Sequence, residues 1–153
     1  DENEFIGNLL AEISLIKISR IDKENFNSGV CGEEIFRDIY KKYETRLKEN
    51  RLIDFDDMLS YTYELFKESP DILALWQNKY KYILNDEFQD INRLQYEIIK
   101  MLAAPQNNLF IVGDDDQSIY RFRGSKPEIM LGFEKDYPNA KRILLDTNYR
   151  CGI

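Results

Sequence analysis

Apolar residues at Phe5, Ile6, Leu9, Leu10, Ile13 and Ile16 recur with a helical period and predict a helix from Phe5 to about Ile18. Asp22 to Gly32 is polar with two glycines and reads as a loop. The helical period returns from Glu33 to Leu47 through Ile35, Phe36, Ile39, Tyr40 and Tyr43, with charges on the opposite face. After a break at Asn50-Arg51, Asp54 reads as an N-cap, and the acidic turn Asp56-Asp57 suits a helix dipole. Ser69-Pro70 opens a short helix through Leu73 and Trp76, with Pro at its first position. Beyond Lys79 the texture changes. Tyr80–Asp86, Asn108–Asp114 and Lys141–Asp146 read as strands, and Ile91–Ala103 and Lys126–Lys135 as helices between them. Such alternation implies crossovers and a parallel sheet, so the expected fold class is α/β, with a helical lobe passing into the sheet at residues 50–80. Each strand is an apolar run ending in an acid (Asp86, Asp114, Asp146), which loads the chemistry onto one sheet edge.

Composition narrows the function classes. With 153 residues, 43% hydrophobic and 13% aromatic, the chain can bury a core as one domain with room for a small second lobe. No apolar run approaches 18 residues, and no basic-then-apolar leader opens the chain, so a soluble, cytoplasmic protein without a membrane partner is expected. Cys31 and Cys151 form no CxxC, which fits a reducing compartment. Histidine is absent, which excludes a His-dependent triad and argues against zinc. The net charge of −7 is uneven: residues 1–80 carry 11 bases and 17 acids (−6), residues 81–153 carry 10 and 11 (−1). Arg121, Arg123 and Lys126 cluster beside Tyr120 and Phe122, so an acidic chain still carries a local basic, aromatic patch.

Four stretches carry candidate chemistry. Asp86-Glu87-Phe88-Gln89-Asp90 follows a strand, at the sheet edge where α/β folds bind ligands. Adjacent carboxylates there suit Mg²⁺ bound with phosphate oxygens, Asp86 holding the ion and Glu87 orienting or deprotonating a water. The bland alternative is an acidic strand end before a helix N-terminus, where acids stabilise the dipole anyway. Gly113-Asp114-Asp115-Asp116-Gln117-Ser118-Ile119-Tyr120-Arg121-Phe122-Arg123-Gly124 begins with a glycine that lets backbone approach a ligand. Its three aspartates call for a cation or donors, and Gln117 can sense a phosphate or a water. Its alternating rings and guanidinium groups suit stacking and phosphate contacts on single strands. A solvated acidic turn before an amphipathic strand is the competing reading. In Asn148-Tyr149-Arg150, Tyr149 can stack on a base and Arg150 clamp a phosphate, though for the tripeptide alone a surface Tyr-Arg pair is the better reading. Asp54-Phe55-Asp56-Asp57 reads first as a helix cap with Phe55 in the core, and second as a nucleic-acid contact by Phe55. No G-x-x-x-x-G-K-[ST] occurs, so the phosphate-cradling loop of an NTPase is not in this stretch.

Together, Asp86–Asp90, Gly113–Gly124 and Asn148-Tyr149-Arg150 resemble motifs II, III and IV of UvrD/Rep-type superfamily 1 DNA helicases, in the right order and at plausible spacing. Asp54-Phe55-Asp56-Asp57-Met58-Leu59 resembles the family's DFDDL segment. The resemblance implies a partial RecA-like 1A motor domain over residues 51–153, preceded over 1–50 by the end of a helical 1B-like subdomain. It implies Asp86, with Glu87, at Mg²⁺, and Glu87 activating the hydrolytic water. Gln117 would couple the γ-phosphate to DNA, Arg150 would contact the γ-phosphate and Tyr149 would stack on adenine. Tyr120, Phe122, Arg123 and Phe55 would face single-stranded DNA. Departures are Asn85 for an apolar residue, which loosens the strand end, Phe88 for Tyr, Phe122 for Trp and Cys151 for Ser or Thr.

The function so implied is that of a fragment of an ATP-dependent 3′-to-5′ DNA helicase, with ATP, Mg²⁺, single-stranded DNA and the remaining helicase domains of the parent chain as partners. The family's phosphate-binding loop lies upstream and its second motor domain downstream. The fragment alone is therefore expected to hydrolyse ATP negligibly, and its uncovered sheet edge or face to invite self-association. Two other classes fit the residues: a Mg²⁺-dependent nuclease or phosphatase using Asp86, Glu87, Asp90 and Asp114–Asp116, and a non-catalytic interaction module with a motor fold.

Overall fold

The computed structural model describes residues 1–114 and 127–147. Its element order is α1 (Glu2–Ser19), α2 (Glu33–Glu49), α3 (Phe55–Glu68), α4 (Pro70–Lys79), β1 (Ile83–Asn85), α5 (Arg93–Ala103), β2 (Leu109–Ile111), α6 (Pro127–Leu131) and α7 (Phe133–Asp136). The architecture is mainly helical with a small parallel sheet, an α/β arrangement.

The periodic stripes become packing faces. Leu9, Ile13 and Ile16 of α1 close on Phe36 and Tyr40 of α2, with Phe26, Val30 and Tyr43 around them. Phe66 of α3 packs with Leu94 and Ile98 of α5, flanked by Ile72 and Leu73 of α4. The other side of α5 gives Tyr96 to a cluster with Phe88, Ile91 and Phe133, against which Leu109 and Ile111 of β2 pack. Helix α5 is thus the shared wall between helices and sheet. Its start is fixed by a capping box: Asn92 accepts from the Gln95 N–H at 2.9 Å, and Gln95 accepts from the Asn92 N–H at 2.8 Å.

Between α1, α2 and α3 sits a buried ionic knot. Lys17 continues the α1 stripe four residues after Ile13, and its Nζ lies 2.7 Å from both Asp54 Oδ2 and Asp57 Oδ1. The two aspartates also cap α3 reciprocally, and the Tyr43 hydroxyl donates to Asp54 Oδ2 at 2.8 Å. Burial alone would lower the Lys17 pKa; hydrogen bonds to Asp54 and Asp57 outweigh it and hold the ammonium above its ordinary range. Burial likewise opposes ionisation of Asp54, while the bonds from Lys17, the Asp57 backbone and Tyr43 hold that carboxyl below its ordinary range.

Four expectations are corrected. The Lys141–Asp146 strand does not form: residues 141–147 take no regular structure, and Ile143, Leu144 and Leu145 are exposed. Among the described residues the run pairs with neither β1 nor β2, so no ladder there holds it extended in a sheet. The other two strands are also shorter than expected, three residues each, and covered on one face: Leu84, opposite Phe110 in the register, is 72% exposed. The helix over 126–135 breaks at Gly132, whose backbone lies so close to the Glu128 carbonyl that a Cβ would sit 2.9 Å from it. Phe55 is not in the core but 84% exposed, because the cap turns it outward while Asp57 faces Lys17.

Lys17→Met should destabilise the chain by about 3 kcal/mol at neutral pH, since it leaves two carboxylates buried without their cation. Asp54 has a depressed folded pKa, so its contribution is present above 3.8 and lost as pH falls through its folded value. Lys17 has a raised one, so its contribution is full below 10.5 and lost as pH rises through its folded value. Urea denaturation across pH should show a constant gap between the two proteins from about pH 4 to 10, narrowing outside that window.

Candidate active site at the acidic edge of the sheet

The apolar run of β1 lies parallel to β2 in the register Ile83↔Leu109, Leu84↔Phe110 and Asn85↔Ile111. Asn85 does not loosen the strand end. Its carbonyl accepts the Val112 N–H at 2.9 Å, and its side chain donates to the Asp86 carbonyl at 3.2 Å. The next rung comes after the acids, where the Phe88 N–H donates to the Val112 carbonyl at 2.9 Å. Asp86 and Glu87 therefore sit in a two-residue excursion between rungs, both exposed at the C-terminal edge.

Three features set their positions. The Glu87 N–H donates to Asp86 Oδ1 at 2.9 Å. Glu87 itself has φ 51° and ψ 41°, a left-handed conformation that costs a non-glycine residue about 1–2 kcal/mol. It is followed by a 3-10 turn, Phe88–Asp90, anchored by Phe88, which is fully buried edge-to-face against Tyr96 and Phe133. A phenylalanine suits this position because a hydroxyl buried among those rings would need a partner.

Gln89 is the second anchor, 2% exposed. Its Nε2 donates to Glu87 Oε2 at 2.7 Å and its Oε1 accepts the Asp114 N–H at 3.0 Å. The carboxylate can only accept and the N–H can only donate, so the amide orientation is fixed. A Cβ on Gly113 would lie 2.6 Å from Gln89 Oε1 and 3.2 Å from its backbone nitrogen. The glycine after β2 thus makes room for a side chain of the same protein, where the sequence suggested a ligand. Asp90 turns inward, with its Oδ1 buried and unpartnered among the described residues.

The structure thus brings together Asp86, Glu87, Gln89 and the start of the Gly113–Gly124 run. Phe55 lies at the head of α3, outside this contact set and exposed. Asp115, Asp116, Gln117, Tyr120, Phe122, Arg123, Tyr149 and Arg150 lie outside the described residues. No group of three or more acidic or cysteine side chains is arranged to hold a metal among the described residues. An ion held by one or two carboxylates plus phosphate oxygens needs no such cage, and the exposed Asp86 carboxylate at a strand end has the donor chemistry for it.

The model for the N-terminal domain of UvrD/Rep helicases matches residues 4–138. The chain belongs to the UvrD/Rep helicase N-terminal domain family. Among this family's members, the putative ATP-dependent DNA helicase YjcD of Bacillus subtilis is 57% identical over 118 residues, 77% of this chain and 15% of that protein. The ATP-dependent DNA helicase PcrA of Bacillus subtilis is 44% identical over 144 residues, covering 93% of this chain and 20% of the relative. A probable DNA helicase II homolog of Mycoplasma capricolum is 43% identical over 152 residues, 98% of this chain and 21% of its own length. The chain spans about a fifth or less of these helicases. Among the described residues, no helix is long and apolar enough to cross a membrane.

Two working parts of this UvrD/Rep-family chain escaped the sequence reading. Lys17 was signalled by a charge falling on the apolar stripe of α1. Gln89 was signalled by the one amide in an acidic pentad, but its link to Gly113 spans 24 residues and only folding reveals it. Gly113→Ala should destabilise the chain by about 1–3 kcal/mol in urea denaturation, through overpacking against a buried amide. An ordinary exposed loop glycine would instead gain about 0.4–1 kcal/mol.

Proposed function

We propose that this chain is part of the motor of an ATP-dependent DNA helicase that moves 3′-to-5′ along single-stranded DNA. The observation that carries the reading is the pair Asp86-Glu87, held at the C-terminal edge of β1 by a strained backbone and a buried amide, in a chain of the UvrD/Rep family. A parallel β1-α5-β2 unit with its acids at that edge supports a partial RecA-like domain over residues 51–153. The helical pair α1-α2 supports a 1B-like lobe over 1–50.

In this reading, Asp86, with Glu87 beside it, holds Mg²⁺, which when bound neutralises charge building on the phosphate oxygens. Glu87 orients the attacking water and takes its proton, with Gln89 keeping the carboxylate aimed. Gln117 and Arg150 contact the γ-phosphate, and Tyr149 stacks on adenine. Tyr120, Phe122 and Arg123 line the DNA path, and the exposed ring of Phe55 joins them. The remaining helicase domains complete the nucleotide site, so this chain alone turns over ATP negligibly. The bare sheet face around Leu84 and Phe110 lets the isolated chain self-associate.

In the parent polypeptide of helicase length, Glu87→Gln should lower DNA-stimulated ATP turnover by about 10²-fold or more while nucleotide still binds. Undiminished turnover would contradict the assignment, and metal-dependent DNA cleavage without nucleotide would favour a nuclease instead.

A further inference from the structure

We propose that Gln89 is a positioning residue that makes the aim of the Glu87 carboxylate depend on the backbone at Asp114. The inference rests on the helicase reading above and adds a route by which the run after β2 governs the acidic pair. One planar amide supplies both bonds: Nε2 to Glu87 Oε2 at 2.7 Å and Oε1 from the Asp114 N–H at 3.0 Å. The amide is buried and cannot exchange either partner for water without leaving its site. Gly113 has no Cβ, and one would fall on this amide at 2.6 Å. The Phe88 N–H bond to the Val112 carbonyl, 2.9 Å, fixes the turn from the other side.

The chemistry of the clamp sets its behaviour. Glu87 is exposed, and the bond from Gln89 holds its carboxylate in one orientation. The clamp thus acts on Glu87 through a donor. Asp114 opens the run that carries Gln117, Tyr120, Phe122 and Arg123 in the sequence. A displacement of the Asp114 backbone therefore moves the amide plane, and with it the donor that holds Glu87. DNA engagement by that run would thus be reported to the carboxylate mechanically, with no titration and no added ligand.

The test compares wild type, Gln89→Glu, Gln89→Met and Glu87→Gln in the parent polypeptide, measuring kcat and KM for ATP with and without single-stranded DNA at pH 8. Gln89→Glu keeps an acceptor for Asp114 but, when ionised, loses the donor to Glu87. Its DNA-stimulated kcat should fall about 10²-fold at pH 8 with KM for ATP within about twofold. Gln89→Met, which keeps length but neither bond, should show the same loss. A kcat for both variants within about threefold of wild type would overturn the proposal. If Gln89→Glu does not fold, the proposal stands or falls on whether DNA stimulation is lost in Gln89→Met. Glu87→Gln separates the two readings: full activity there defeats the role of Glu87 itself, whereas its loss beside normal Gln89 variants defeats only the clamp.

Discussion

A buried amide joins the acidic turn after β1 to the backbone at Asp114, just past β2. Without Gln89, Asp86-Glu87 and Asp114 would be joined only through the backbone ladder of β1 and β2 and its rungs at Val112. With it, both become one edge whose spacing is set by a side chain of fixed length. Everything around the amide serves to keep it buried and paired. Phe88 fills the space beneath, Gly113 leaves the space above, and the rungs to Val112 bracket the turn. The left-handed backbone at Glu87 is the cost of this arrangement, and its persistence indicates that the surrounding bonds over-determine the turn.

That edge needs a rigid floor, which α5 provides by packing on both sides. Its Leu94 and Ile98 grip the helices, and its Tyr96 meets Phe88 below the acids. The Tyr96 hydroxyl donates to Asp136 at 2.8 Å, and Lys100 reaches both Glu97 and Asp136, so α7 is pinned to the same helix. Further out, Lys17 joins α1 to the cap of α3. A buried ion pair is weak evidence for net stability, since an apolar replacement of the whole triad can be neutral. Its effect here is geometric: it fixes which way the first turn of α3 faces, and so keeps Phe55 in solvent.

The helices were legible because their stripes are long and their caps are spelled locally. Asp54 with Asp57, and Pro70 at the first position of α4, need no tertiary information. The sheet was legible in type but not in extent. Ile143-Leu144-Leu145 carries the same apolar signature as Leu109-Phe110-Ile111, yet among the described residues only the latter pairs with a strand and packs into the cluster that includes Tyr96 of α5. Periodicity reports what a segment can bury, and not whether a partner is present to bury it. Phe55 was misplaced for a related reason: an apolar residue at a helix start has no stripe to align with, and the cap geometry decided its direction. At the site, the acids were visible as residues, whereas the amide bridge was not. Nothing in the local sequence joins Gln89 to Gly113.

The most direct measurement is hydrogen exchange by NMR of two groups in this chain: the Gln89 side-chain amide and the Asp114 backbone N–H. If the edge is one clamped unit, both exchange far more slowly than solvent-exposed amides, and Gln89→Met accelerates Asp114. Exchange of the Gln89 amide at the rate of a free glutamine side chain would contradict the account, because no amide bridge would then join Glu87 to Asp114.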